Sequence, residues 1–295
     1  MSDTPSHLRP GTPASALAIG FLAVWLVVAA FPFFWTLWGS FKVEADFFSR
    51  ASWWNAVAGP ATERQTGGAF TLAGYEGAWI EREFWRAGLN TVIVTFSVTA
   101  ISLLFGTLGG YALSRSTRNY AAWILIAALV FRAMPHITLV SGYLLPFFAL
   151  NVWGVLPTAI VVLVAINQPF TLWMLHSFFL SIPKDIDESA MVDGCTRFQA
   201  FRLAVIPVMW PGVITTGLFS FLLAYNDFAV TAMLLNQENQ TMVPKINSFL
   251  GTVQTQGSIM YAVAATVSAT VPLFILVLFF QRRIVAGLTA GAVKG

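Results

Sequence analysis

Charged residues are scarce in this sequence. Only 10% of the 295 residues are Asp, Glu, Lys or Arg, whereas 57% are hydrophobic. Soluble domains carry about a quarter charged residues, so this composition excludes an ordinary soluble protein and predicts an integral membrane protein.

Cysteine and histidine are also rare, and this limits the chemistry that the chain can perform. Cys195 is the single cysteine, so no disulfide can form within the chain. The three histidines, His7, His136 and His176, lie too far apart to show metal-ligand spacing. No Gly-rich loop is followed by a phosphate-binding lysine, and no nucleophile and base occur in a recognisable arrangement. We therefore expect no metal, no cofactor and no catalysis in this chain alone.

Long apolar runs are abundant. A helix needs about 20 apolar residues to cross a bilayer core, and six segments meet this requirement. The runs are continuous rather than alternating, which favours helices over a barrel and predicts an all-α polytopic fold. The first run is about twice as long as a signal-peptide core, so we expect it to be retained. The six predicted spans are 14–38, 89–113, 121–149, 155–180, 203–235 and 260–280.

The polar segments between the runs differ in charge, and this difference predicts their sides of the membrane. Cytoplasmic loops are enriched in Lys and Arg. The long 43–88 segment mixes both signs, and the short 150–154 and 236–259 segments contribute only Lys245. Both termini and the 181–202 segment are therefore predicted to be cytoplasmic, and the net charge of +3 calls for no nucleic-acid partner. The positive residues on the predicted cytoplasmic side are Arg9, Arg115, Arg118, Lys184, Arg197, Arg202, Arg282, Arg283 and Lys294.

These patterns predict three regions. Residues 1–13 are polar and proline-containing, as in a disordered cytoplasmic lead-in. Residues 14–282 form the six-span domain, with a periplasmic loop at 43–88 and a cytoplasmic loop at 181–202. Residues 283–295 form a cytoplasmic tail. The tryptophans of the 43–88 loop indicate either a membrane-interface belt or a surface for a periplasmic partner.

The 181–202 segment is a short polar island between two apolar runs. Acidic residues and Lys184 surround Glu188, and Gly194 provides a helix stop. The pattern predicts a short amphipathic helix, held at the aqueous face by two spans, that docks a soluble partner.

This island resembles the EAA loop of bacterial ABC-importer permeases. That loop reads Glu-Ala-Ala, then three further residues and a Gly, then an Ile/Leu-Pro pair about a dozen residues further on. Here the corresponding residues are Glu188-Ser189-Ala190, Gly194 and Ile206-Pro207, with Ser189 replacing the usual Ala. Further segments resemble the carbohydrate-import, maltose-type branch. They are Leu89-Asn90-Thr91, the 110–115 segment Gly-Tyr-Ala-Leu-Ser-Arg, Ile182-Pro183, Tyr225-Asn226-Asp227 and the C-terminal 287–295 segment.

The resemblance implies the ABC type I importer permease fold, in a multi-pass protein of the bacterial inner membrane and its lipid. One such chain forms half of a translocation pathway for a sugar, sugar derivative or polyol. The implied partners are a second homologous permease, two ATPase subunits that hold ATP and Mg, and a periplasmic or lipid-anchored solute-binding protein. The implied ATPase-coupling residues are Glu188, Ser189, Ala190, Asp193, Gly194 and Pro207, and the implied tail contacts are Thr289, Gly291 and Lys294.

Polar residues within the predicted spans are candidates for the solute pathway, because charges inside a membrane usually serve function. Arg132 would lie about 16 Å and Asp227 about 30 Å along their spans, so no direct ion pair is expected. Pro169 would free a backbone carbonyl and widen a cavity there. The alternative is that these residues join the chain to its partner permease. The candidates are Arg132, Asn167, Gln168, Tyr225, Asn226 and Asp227.

Two other functions fit parts of the pattern. An ion-coupled secondary transporter would need no docking helix and would usually show acids or broken helices near the midplane. Asp227 is the single acid within the predicted spans. An ABC permease for a non-carbohydrate solute would retain the docking helix, so co-purification of an ATPase separates only the first alternative.

Overall fold

The computed structural model describes residues 13–42, 70–118, 120–251 and 258–290, with side chains described from 15 to 282 within these ranges. The expectations for residues 1–12, for most of the 43–88 loop and for Gly291 and Lys294 lie outside the described residues. In chain order, the helices are α1 (Pro13–Gly39), α2 (Ala73–Glu76), α3 (Phe84–Arg115), α4 (Tyr120–Ala133), α5 (His136–Ala149), α6 (Leu156–Leu180), α7 (Asp185–Val192), α8 (Arg197–Ala200), α9 (Ile206–Tyr225), α10 (Ala229–Leu234), α11 (Met242–Leu250) and α12 (Ser258–Ala290).

The chain divides into two compact units. One comprises Met1–Arg82 and Phe249–Thr270, and the other comprises Glu83–Ser248 and Val271–Gly295. In the first unit, a π-helical turn at Gly77–Glu81 follows α2. A Cβ atom at Gly77 would lie 2.1 Å from the ring of Tyr261, so only glycine permits this packing.

The second unit is built around three mutually packed helices, α3, α6 and α9. Glycines allow two of them to approach closely. A Cβ atom at Gly106 would lie 2.7 Å from Cγ2 of Thr171, and one at Gly110 would lie 3.0 Å from the backbone nitrogen of His176. Small residues commonly serve this purpose in membrane helices, which lack a strong hydrophobic drive to associate.

Five helices of the described chain are long and apolar enough to cross a membrane, and a bent pair adds a sixth if it is counted as one span. The bent pair is α4 and α5, which lie at 89° to each other. The predicted span 121–149 therefore consists of two helices joined at a sharp break, and not of one straight helix. Pro135 lies at the break, where it lacks an amide hydrogen and disfavours helical geometry at the preceding residue.

The fifth predicted span, 203–235, is also wrong in its bounds. The continuous apolar helix runs over Arg197–Tyr225 and includes a π-helical turn at Phe201–Val205. The chain then turns and starts α10, so Asp227 lies beyond the end of the spanning helix rather than inside it. Its carboxylate caps α10. Apolar residues continue on both sides of this turn, so hydropathy alone joins α9 and α10 into one run.

Three smaller boundaries differ from expectation. The second spanning helix begins at Phe84, five residues before the predicted start. The 236–259 segment, predicted as a short loop, contains α11. The backbone of α12 remains helical to Ala290, so the predicted tail from residue 283 begins as a continuation of the last span.

Candidate functional site

The polar island folds as the predicted helix-turn. Helix α7 ends in a Schellman motif, in which the backbone N–H of Cys195 donates to the carbonyl of Ala190 at 3.0 Å and that of Gly194 donates to Met191 at 3.1 Å. Gly194 has a φ of 90°, and a Cβ atom there would meet nothing within 4 Å. The glycine is therefore required by its left-handed backbone and not by lack of space.

A second cap returns the chain toward the membrane. The hydroxyl of Thr196 accepts a hydrogen bond from the backbone N–H of Gln199 at 3.3 Å, and the Gln199 side chain accepts from the Thr196 N–H at 2.8 Å. This capping box starts α8. Pro207 lies directly after the π-helical turn, and because it has no amide hydrogen it cannot donate a hydrogen bond to the preceding turn of the continuous helix.

A buried ion pair fixes α7 to the end of α3. Asp187 is buried, and its Oδ2 accepts from Nε of Arg115 at 2.9 Å and lies 2.8 Å from the Arg115 NH2 group. The Tyr111 hydroxyl donates to the other carboxylate oxygen. NH1 of Arg115 donates to the carbonyls of Phe179 and Ile182, each at 3.2 Å.

The sequence pattern does not single out Asp187. The acids around Glu188 form one polar cluster in the sequence, but helical spacing places them on different faces of α7. Asp187 faces the core with Ile186, whereas Glu188 and Ser189 face solvent. The signal for Asp187 is Arg115, which lies at the end of an apolar run. A partly buried cation needs a negatively charged partner.

The outer side of the helix-turn is exposed and mixes acidic with apolar groups. Ala190 is half-buried, whereas Ser189 is exposed. Val192 is 87% exposed and Phe198 is 63% exposed, although both are large apolar side chains. Apolar groups rimmed by polar ones mark an interaction surface. We name this set the coupling surface, and it consists of Glu188, Ser189, Val192, Asp193, Gly194 and Phe198.

The second unit also contains a cavity that encloses about 600 Å³. It brings together four of the six candidates for the solute pathway and one residue that sequence reasoning did not select, His136. The bend between α4 and α5 places Arg132 and His136 at the wall of the cavity. Asn226 and Asp227, which directly follow the end of α9, also line it. Its polar lining is Arg132, His136, Asn167, Asn226 and Asp227.

The remaining candidates lie elsewhere. Gln168 lines a neighbouring cavity of about 280 Å³, which shares His136 and Ile166 with the first. Tyr225 is buried outside both cavities, with its hydroxyl 3.6 Å from the sulfur of Met242 and its ring stacked on Phe221. Tyr225 is therefore the one solute-pathway candidate that lines neither cavity. Thr289 belongs to the helical backbone of α12, but its side chain lies outside the described part.

The two charged residues of the cavity, Asp227 and Arg132, have different partners. Oδ1 of Asp227 accepts from the backbone N–H groups of Val230 and Thr231 at 3.1 and 3.0 Å. The guanidinium carbon of Arg132 lies 4.9 Å from the ring centre of Phe170. In the described chain the two charges form no ion pair, as expected from their spacing along the sequence.

Asn167 connects the three central helices and also reaches the cavity. Its Nδ2 donates to the hydroxyl of Ser220 on α9 and lies 3.4 Å from the hydroxyl of Ser102 on α3. Its Oδ1 is buried without a hydrogen-bond partner in the described part of the protein. A buried amide with one unsatisfied atom is costly, which indicates a partner that the folded chain does not provide.

An apolar helical bundle with an exposed helix-turn and a cavity that contains a few polar side chains is typical of the membrane subunit of a transporter. Residues 15–289 match the family of binding-protein-dependent transport system inner membrane components, and the chain belongs to that family. It is therefore a permease subunit of an ABC importer. An ion-coupled secondary transporter is not favoured.

Relatives and a solved structure agree with this assignment. The chain is 33% identical to the sulfoquinovosyl glycerol transport system permease protein SmoH of Agrobacterium fabrum, over 98% of this chain and 96% of SmoH. It is 32% identical to the trehalose/maltose transport system permease protein MalG of Thermococcus litoralis, over 91% and 93% of the two chains. Its fold matches a chain of a bacterial ABC transporter that imports the acidic polysaccharide alginate, with a TM-score of 0.73, 18% identity and coverage of 95% and 99%.

Proposed function

We propose that this chain forms half of the pathway by which a sugar, a sugar derivative or a polyol enters the cell. The observation that carries the proposal is the cavity, which places amide and guanidinium groups inside an otherwise apolar bundle. Such groups match hydroxyls, which both donate and accept hydrogen bonds. The names of the relatives support the same class, since one carries sulfoquinovosyl glycerol and another trehalose or maltose.

The chain works with a second, homologous permease, two ATPase subunits and a solute-binding protein that is periplasmic or lipid-anchored. ATP and Mg are held by the ATPase subunits, and hydrolysis takes place there. The helix-turn and both termini face the cytoplasm. The loops rich in Arg and Lys support this orientation, because cytoplasmic loops carry most of the positive charge.

The coupling surface receives the motion of an ATPase subunit and passes it to the helices around the cavity. The Asp187–Arg115 pair ties α7 to the end of α3, and the carbonyl contacts of Arg115 tie it to the end of α6. Helix α7 also packs against the π-helical turn that leads into α9. ATP-driven closure therefore moves a connected set of elements, which favours alternating access to the cavity.

The test is reconstitution of the full transporter in proteoliposomes, followed by measurement of uptake of labelled trehalose, maltose and a sulfonated glycoside with the binding protein outside. We expect uptake of at least one carbohydrate that requires ATP inside and survives collapse of the proton gradient by an ionophore. Uptake that needs the ion gradient but no ATP would contradict the proposal, and so would failure of an ATPase subunit to co-purify.

A further inference from the structure

The cavity contains a cation, Arg132, that forms no ion pair within the described part of the chain. Arg132 is half-buried at the end of α4, and its one described side-chain interaction is with the face of Phe170. An arginine remains charged at any physiological pH, so its guanidinium needs an acceptor when it lies in a partly dehydrated place. Cation–π contact replaces only part of the lost hydration, because it satisfies none of the five N–H donors.

The acid in the same cavity does not meet this need. The Asp227 carboxylate is directed at the first backbone N–H groups of α10, which it caps. No ion pair joins it to Arg132 among the residues described. Because the carboxylate of Asp227 is held by these backbone donors and forms no ion pair with Arg132, the guanidinium has no anionic partner among the described residues.

A second side chain, Asn167, lies on the wall of the same cavity and has a polar atom without a hydrogen-bond partner among the described residues. Asn167 is almost fully buried, at 5% exposure, and one atom of its amide lacks a partner in the described chain. Whichever way the amide is oriented, its hydrogen bonds to the two serines use only one of its two polar ends. The other end suits a hydroxyl, which can serve either an amide oxygen or an amide nitrogen.

We propose that this cavity binds a glycoside that carries an anionic substituent, a carboxylate or a sulfonate, with the anion on Arg132 and a hydroxyl on Asn167. The inference rests on the proposed function and deepens it by naming the class of sugar. A volume of about 600 Å³ is suited to a small glycoside. Guanidinium pairs with planar or tetrahedral oxyanions through two parallel hydrogen bonds. The anion is therefore bound both by charge attraction and by directed hydrogen bonds.

The test measures binding of two probes that differ only at C6, where methyl glucuronide carries a carboxylate and methyl glucoside carries a neutral hydroxymethyl group. The assembled transporter, without its binding protein, is placed in phosphatidylcholine nanodiscs, so that no anionic lipid competes for Arg132. We expect the wild type to bind the glucuronide about tenfold more tightly, as one charge-assisted hydrogen-bonded contact provides. Arg132→Gln should reduce this ratio to about one, and Arg132→Lys should retain only part of it, because lysine keeps the charge but cannot form the two parallel hydrogen bonds.

Two further variants make the result specific. Arg118→Gln removes an exposed arginine outside the cavity and should leave the ratio unchanged. Asn167→Ala should weaken both probes by a similar factor and leave the ratio intact, because both carry hydroxyls.

Absence of saturable glucuronide binding, equal binding of the two probes to the wild type, or a preference that persists in Arg132→Gln would overturn the inference. It is also overturned if Arg132→Gln prevents assembly and Arg132→Lys restores it, since Arg132 would then pair with the partner permease. If ATP-driven uptake of neutral sugars proceeds without preference for anionic ones, the inference fails and the proposed function stands. If no carbohydrate is transported, the proposed function itself fails.

Discussion

The carboxylate of Asp187 and the guanidinium of Arg115 join the exposed helix α7 to the end of the long helix α3. Two guanidinium nitrogens lie within 2.9 Å of one carboxylate oxygen, and the exposed fractions of the two side chains are only 16% and 9%. The pair is separated by 72 residues in sequence, so it is a tertiary contact and not a feature of one helix. It connects α7 to α3, a helix that also lines the cavity through Val98.

Asp187→Asn should therefore loosen the coupling helix. Removing one partner leaves a partly buried charge uncompensated, and we expect a loss of about 2 kcal/mol in stability, below the range of about 3–5 kcal/mol for fully buried pairs because some water reaches this one. Solute-stimulated ATPase activity should fall several-fold, while the cavity remains intact. The measurements are thermal unfolding and ATPase activity of the reconstituted complex. Asp185→Asn, on the exposed side of the same helix, is the control and should change neither.

Gly194→Val should disrupt the end of the same helix. A β-branched residue at a φ of 90° costs about 1–2 kcal/mol, and the Schellman hydrogen bonds would be lost with it. Gly194→Asn is the matched control, because asparagine tolerates this backbone conformation. We expect the Val variant to lose co-purified ATPase and the Asn variant to retain most of it. Equal recovery in both variants would show that the left-handed turn is unimportant.

Gly110→Ala should separate two central helices. The added methyl group would lie 3.0 Å from a backbone atom of His176, which cannot move aside as a flexible side chain can. We expect a loss of about 1–3 kcal/mol, seen as a lower midpoint of thermal unfolding in detergent. Gly142→Ala in α5 has nothing within 4 Å of the new methyl group and should be neutral or slightly stabilising.

Asp227→Ala should remove the cap of α10. Loss of such a cap costs about 1 kcal/mol, whereas Asp227→Asn retains an oxygen for the same backbone donors. We expect thermal stability and uptake to fall in the Ala variant and to remain close to wild type in the Asn variant. Equal loss of uptake in both, with normal stability, would instead show that the charge of Asp227 contacts the solute.

Hydropathy predicted the bundle well, because continuous apolar length is the main requirement for a helix in lipid. It did not locate the break at Pro135 or the turn after Tyr225, because apolar residues continue on both sides of each and an average over a long window joins them into one run. The Leu89-Asn90-Thr91 segment was visible as a motif without a known role. In the structure, the Thr91 hydroxyl accepts from the backbone N–H of Met242 at 2.8 Å and Asn90 donates to the carbonyl of Gln240, so the motif positions the start of α11.

The candidate site could be predicted only in part, because some of its features are local in sequence and others are tertiary. Glu188 and Gly194 were readable because local spacing alone defines a helix-turn. Grouping of Arg132 with Asn226 and Asp227 in one cavity depends on the bend of α4 against α5 and on the end of α9, both of which are tertiary features. His136 was set aside because an isolated histidine has no local pattern, although the bend places it at the cavity wall.

The central claim is that the coupling surface docks an ATPase subunit, and Val192 offers the most direct test. Its side chain is apolar and 87% exposed, so a photo-crosslinking amino acid can replace it without disturbing the core. Leu150 is apolar and 70% exposed, lies in a loop away from the helix-turn, and serves as the control position. After illumination of the membrane-embedded complex, we predict a covalent product with the ATPase subunit from position 192 and none from position 150. Products with lipid alone at position 192, in a complex that still drives uptake with ATP, would contradict the account.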